Sequence, residues 1–182
     1  MTQASATAAA KVAKLNRVER NAWTKRKIFD AAKWWKGGAV GSWQGAFQAN
    51  TYARFGDGDT ALEVVDTHLR RVVNPNLSAN FSGMAEWEID GNLGHTAAIA
   101  EMLLQSHAGE IELLPALPKA WANGSVKGLC ARGGFTVDLV WKSGKLHEAV
   151  VHSKVGGVCQ VRCQDKVISM NTKPGERYPV QW

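Results

Sequence analysis

The chain has 182 residues, 45% hydrophobic and 21% charged, with a net charge of +6. At about 100–200 residues per domain this fits one domain or two small ones, and the apolar content suffices for a core. No apolar run reaches the roughly 18 residues needed to cross a bilayer, and three cysteines, an odd count, argue against a closed disulfide framework.

Residues 1–29 are rich in alanine and basic side chains and nearly free of acids. A basic arm for nucleic acid or for targeting is one reading; a solvated helix or a foreign leader is the other. The second is preferred, because a basic run becomes specific only beside a folded recognition motif, so no nucleic-acid partner is expected. No apolar signal-peptide core follows Met1. DAAKWWK from Asp30 reads as a helix end, stopped by Gly37 and Gly38.

Gly41 to Phe55 recovers helical spacing. Trp43, Phe47 and Asn50 share one face, with Ala46, Ala49 and Ala53 beside them. Aromatics at this spacing read as core. Gly56 to Asp59 is a turn, and Thr60 to Glu63 has the form of a capping box. Leu62, Val65, Leu69 and Val72 then make the apolar stripe of an amphipathic helix, which Asn74-Pro75 ends.

Residues 74–87 read as a loop. Glu86, Glu88 and Asp90 alternate with Trp87 and Ile89, so an extended chain would put the three acids on one side. From about Leu93 to His107 the sequence is nearly apolar all round, which predicts a buried helix. His95 and His107 at its ends read as packing or capping residues. No metal-ligand spacing is present, so neither a metal nor a cofactor is expected.

Periodicity changes near Gly109. Phe135, Val137, Leu139 and Trp141 alternate with smaller or polar residues, the pattern of a half-buried strand. Lys142-Ser-Gly-Lys145 predicts a hairpin turn, and VCQVRC, VISM and YPVQW supply further short strands. Cys159 and Cys163, four apart on one strand, could face the same side and read with Cys130 as buried free thiols. Sequons at Asn76, Asn80 and Asn123 would suit a secreted protein.

The run from Ile89 to Glu148, beginning IDGNLGHTAAIAEMLLQSHAGEIELLPALPKAW, resembles the end of the catalytic domain of glycoside hydrolase family 95. These are inverting α-L-fucosidases, some acting on α-L-galactosides, with an (α/α)6 barrel and a C-terminal β-domain. The resemblance runs from about Asp30 to the C-terminus and implies an α+β chain with three parts. Residues 1–29 are an unmatched leader, residues 30–109 part of the barrel, and residues 110–182 an antiparallel β-sandwich.

In this family the resemblance implies that asparagine amides activate the water and that an aspartate polarises them. That aspartate falls on Asp90, with Asn92, Trp43 and Glu88 as expected sugar contacts. The family often has His-Pro-Pro-Phe-Gln just upstream, where this chain has Met84 to Glu88, so a sugar-binding histidine is replaced. The loop before Trp43 also departs, with Ser42, Gln44 and Phe47 at family positions.

The general-acid glutamate and the asparagines belong to earlier barrel helices. The expected partners are therefore a glycan carrying terminal α-1,2-fucose and the missing barrel half, without which the chain is expected to be inactive. Family members are secreted, periplasmic or extracellular. A non-catalytic carbohydrate-binding module built on the β-domain is the alternative.

Overall fold

A computed structural model describes residues 42–80 and 87–181. Helix α1 spans Ser42–Arg54, α2 Gly58–Arg71 and α3 Ile89–Leu103. Small residues set how α1 packs. Its buried side is Ser42, Gly45, Ala46, Ala49 and Ala53, so neighbouring helices approach its backbone closely. Where it meets α3, a Cβ on Gly94 would lie 2.5 Å from that of Ala46. Asn50 closes the crossing, its amide donating to the carbonyls of Ala46 and Gly94 at 2.8 Å each. Trp43 and Phe47 were expected in the core by spacing, but they lie 42% and 62% exposed. The alanine side occupies the interior instead.

Helix α2 is capped three residues before the expected capping box. Asp57 is its N-cap, accepting from the Thr60 amide at 3.3 Å. Thr60 therefore contributes its backbone N–H, within the helix that it was expected to cap. Asp57→Ala should cost about 1 kcal/mol, the usual worth of an N-cap side chain, read as a lowered urea midpoint. The buried stripe of α2 is Ala61, Val65, His68 and Val72, while Leu69 faces out. A histidine thus takes the interior place that the pattern had given to leucine.

Helix α3 begins at Ile89, four residues earlier than expected. Glu88 is still extended, with φ −133° and ψ 108°, so Asp90 lies in the first helical turn and not on a strand beside Glu88. Glu86 lies outside the described residues, as do the leader and the Asp30 helix end. The helix is not buried all round: Leu93 is 64% exposed, and Ile99 also reaches solvent. Among the described residues, no helix is long and apolar enough to cross a membrane.

Strand pairing starts directly after α3. Two four-stranded sheets follow, ordered β1-β2-β6-β7 and β3-β4-β5-β8. The first contains β1 (Leu104–Gln105), β2 (Ile111–Leu113), β6 (Gly157–Cys163) and β7 (Lys166–Thr172). The second contains β3 (Gly124–Ala131), β4 (Phe135–Lys142), β5 (Lys145–Ser153) and β8 (Arg177–Pro179).

The expected alternation holds on β4, where Phe135, Val137, Leu139 and Trp141 are buried. They pack with Ala149 and Val151 from β5 and with Ile111, Leu113, Cys159 and Val161 from the facing sheet. The β4–β5 turn has positive φ at Ser143 (51°) and Gly144 (71°), the backbone of a type I′ hairpin. All three cysteines are free, as expected, but only Cys159 is buried as expected; Cys163 is half-buried and Cys130 is exposed. One pair departs from the antiparallel scheme, because β2 runs parallel to β6. Parallel neighbours need a long crossover, and the β3–β5 meander supplies it.

The helices and sheets are joined by direct bonds. The buried Gln105 amide donates to Ala53 O at 2.9 Å, and Ala116 N donates to Met102 O at 3.2 Å. Lys119 N donates to Asp59 Oδ1 at 2.8 Å. A second core, Ala49, Ala53, Ala61, Val65, Ala98 and Met102, takes Ala116 from the connection between β2 and β3.

Candidate functional site

The site expected from sequence gathers at the start of α3, and its residues do different work there. Asp90 stands in the first turn, exposed to solvent. A carboxylate is favoured at that end of a helix by the partial positive charge of the unpaired N–H groups. Among the described residues its carboxylate makes no hydrogen bond or ion pair.

Glu88 is turned to another task. Its Oε2 accepts from the backbone amide of Trp43 at 3.2 Å, satisfying an otherwise unpaired donor in the first turn of α1. Glu88 and Trp43, 45 residues apart in sequence, are thereby brought together, with the indole of Trp43 partly open to solvent. Trp87, 64% exposed and next to Glu88, adds a second indole at this edge. Nothing in the sequence distinguished Trp87 from a core aromatic.

Asn92 is a loop anchor. Its Oδ1 accepts from Ala79 N at 2.8 Å, and its Nδ2 donates to Leu77 O at 2.7 Å. Leu77 sits at φ 65°, a left-handed conformation that is costly for a branched side chain and that these bonds help to hold. Asn92→Ala should leave that loop backbone unsatisfied, costing roughly 1–2 kcal/mol. Limited proteolysis within residues 74–80 should quicken accordingly. An unchanged cleavage rate would count against the anchoring role.

Beneath this surface lies a polar cluster that sequence reasoning did not assemble. The rings of His68 on α2 and His95 on α3 stack with centroids 3.6 Å apart and planes within 15°. The expectation that His95 packs is met, but its partner is another histidine. His95 Nδ1 donates to Gly91 O at 2.9 Å, which fixes the neutral tautomer with Nε2 bare. That Nε2, His68 Nδ1 and Ser42 Oγ are all buried and, among the described residues, without a partner. Burial, and then the neighbouring His95, pull the His68 pKa down to about 4; burial also lowers that of His95, partly offset by the bond to Gly91.

Gly91 is the reason that these groups can meet. A Cβ there would lie 1.7 Å from Ser42 Oγ and 3.1 Å from His68 Cε1, so only glycine lets α1, α2 and α3 converge under Asp90.

Among the described residues, one cleft is lined by Gln48, Tyr52, Thr60 and Glu63 between α1 and α2, and another by Ser106, Glu110, Arg132 and Gln160 at one end of the sheets. Neither of these two includes Asp90. Among the described residues, no group of three or more His, Cys, Asp or Glu side chains could hold a metal ion. The start of α3 therefore offers, among the described residues, an exposed carboxylate without a partner, with the exposed Trp87 beside it in sequence and Trp43 joined to Glu88.

Comparison with known proteins gives this site a context. The profile described as the Glycosyl hydrolase family 95 catalytic domain matches residues 10–103, beginning ahead of the Asp30 start read from the sequence. The profile described as Glycoside hydrolase family 95, C-terminal domain, matches residues 105–180. The two meet where α3 gives way to β1. Alpha-L-fucosidase 2 of Arabidopsis thaliana is 40% identical over 116 residues, covering 58% of this chain and 14% of that protein. Probable alpha-fucosidase A of Aspergillus oryzae is 31% identical over 119 residues, covering 56% of this chain and 16% of its own length. The chain therefore spans about one-seventh of the length of these relatives. With both profiles matched in order and α3 closing the catalytic one, the chain belongs to glycoside hydrolase family 95.

Proposed function

We propose that this chain supplies the Asp90 wall and the C-terminal β-domain of an inverting α-L-fucosidase acting on terminal α-1,2-fucosyl residues of glycans. The observation that carries the reading is the exposed Asp90 carboxylate, unpaired among the described residues and held at a helix start within the Ile-Asp-Gly-Asn run of a family 95 chain. The relatives' names, alpha-L-fucosidase and alpha-fucosidase, give the sugar.

Inversion takes one group to protonate the leaving oxygen and another to activate water from the opposite face, roughly 6.5–9.5 Å apart. Asp90 serves the water side by polarising asparagine amides, and the general acid stands on the part of the barrel that this chain does not cover. Trp43 and Trp87 give the sugar apolar faces to stack on. Glu88 contributes by fixing the start of α1, and Asn92 by fixing the loop at residues 77–79.

The test is reconstitution. The chain alone should release no fucose from an α-1,2-fucosylated oligosaccharide. The same chain combined with a polypeptide carrying the rest of a family 95 barrel should release it, with the β-anomer appearing first by NMR. Release by the lone chain, or no release after verified assembly, would overturn the proposal.

A further inference from the structure

We infer that the stacked His68–His95 pair is an acid-operated latch on the first turn of α3, closed while both rings are neutral and opened when His68 takes up a proton. The geometry carries this. Two imidazoles from different helices face each other at 3.6 Å with nearly parallel planes, and both are almost fully buried, at 2% and 4% exposure. His95 also holds the Gly91 carbonyl, so the stack connects α2 directly to the turn that carries Asp90. A metal bridge between the rings is ruled out by their orientation. Their in-plane lone pairs run side by side and cannot converge on one ion.

Among the described residues, a proton on His68 would find no buried counter-charge. The influences on its charged form are burial and the opposing ring, and both disfavour it. From α1 the cluster receives the Ser42 hydroxyl, which is uncharged and, among the described residues, unpartnered. From the α3 side the nearest carboxylates in sequence are committed or outside: Glu88 binds Trp43 N and Asp90 is exposed. On α2 the Arg70 guanidinium pairs with Asp66 on the outer surface, and Arg71, also exposed, adds a cation rather than an anion.

The sign follows from linkage. The folded pKa is depressed to about 4 from an ordinary 6.5, so below pH 6.5 the open form binds protons that the closed form refuses. The latch is fully closed above about pH 6.5 and weakens as pH falls towards 4. At pH 5 the 1.5-unit gap below the ordinary value reduces the closed-to-open ratio by roughly 30-fold from His68 alone. Gly91 lets the rings approach and also leaves the turn little side-chain packing of its own, so the first turn of α3 is the element that moves.

The full chain tests this directly. Ring resonances of His68 and His95 are followed by NMR from pH 7.5 to 3.5, beside amide protection factors for residues 90–95 corrected for intrinsic exchange. The expected result is that His68 stays neutral at pH 6 and that protection at Gly91 and Asn92 falls as the ring titrates, while protection on β4 and β5 persists. His68→Phe keeps a flat ring in the stack but cannot take a proton, and should hold the turn closed at least one pH unit lower. If that variant does not fold, coincidence of ring titration and turn opening in the unaltered chain decides. His68 titrating near 6.5, or the turn opening at the same pH in the variant, would overturn the latch. None of these readouts depends on glycosidase activity.

Discussion

Gly58→Ala is expected to lower stability by roughly 3 kcal/mol, although in an open helix the same change would stabilise by up to about 1 kcal/mol. Gly58 is the first residue of α2 and lies against the connection between β2 and β3. A Cβ there would stand 1.9 Å from Ala116 O, 2.6 Å from Ala116 C and 3.0 Å from Leu117 C. All three neighbours are backbone atoms, so no rotamer change relieves the overlap. The helix start or the 114–118 connection must shift, taking Ala116 out of the core that it fills with Ala49, Ala61 and Met102. Overpacking of this kind costs typically 1–3 kcal/mol and occasionally more, and a rigid neighbour places it at the upper end.

Gly91→Ala provides the contrast. Its main clash is with the Ser42 hydroxyl at 1.7 Å, behind which Ser42 Cβ stands at 2.8 Å, so Ser42→Gly should recover part of the loss, whereas no single side-chain truncation should rescue Gly58→Ala. Urea midpoints for the two variants and the Ser42→Gly/Gly91→Ala pair decide the matter. An unchanged midpoint for Gly58→Ala would mean that α2 does not pack on the connection as described.

The β-domain was legible in the sequence because one face of β4 is buried and the other is wet. Phe135, Val137, Leu139 and Trp141 had to alternate, and the Ser143-Gly144 turn could adopt the positive φ angles that a tight hairpin needs. The parallel β2–β6 pair was not legible. Parallel pairing depends on which strand returns beside Ile111–Leu113 after the meander, and no local pattern encodes that choice. The helices were readable in number and approximate place, yet their faces were misjudged. Size misled at α1, where alanines take the interior and Trp43 and Phe47 face out. Polarity misled at α2, where His68 is buried because another imidazole lies against it.

The candidate site was only partly readable for a related reason. Asp90 could be picked out through its Ile-Asp-Gly-Asn setting, but the bonds that occupy Glu88 and Asn92 run 45 and 13–15 residues through the chain. The Ser42–Gly91–His68 convergence likewise joins three helices. Its one local trace is a glycine inside an otherwise apolar helical run.

In an enzyme reassembled from this chain and the remaining barrel, Asp90→Asn should lower kcat by roughly 10²–10⁴-fold, the usual worth of a positioned acid–base group. The change is nearly isosteric and removes one negative charge. Asp90 is exposed, and among the described residues its carboxylate makes no hydrogen bond or ion pair, so the urea midpoint of the chain should move by less than about 0.5 kcal/mol. A large kinetic effect beside a negligible stability effect distinguishes a chemical role from a structural one, since Asn92→Ala should show the reverse balance. KM should change little, because in the proposed role the charge acts through the water-activating amides and not on the bound sugar. Wild-type turnover by the Asp90→Asn assembly would place the water-activating carboxylate elsewhere. A rise in KM at constant kcat would instead make Asp90 a sugar-binding residue.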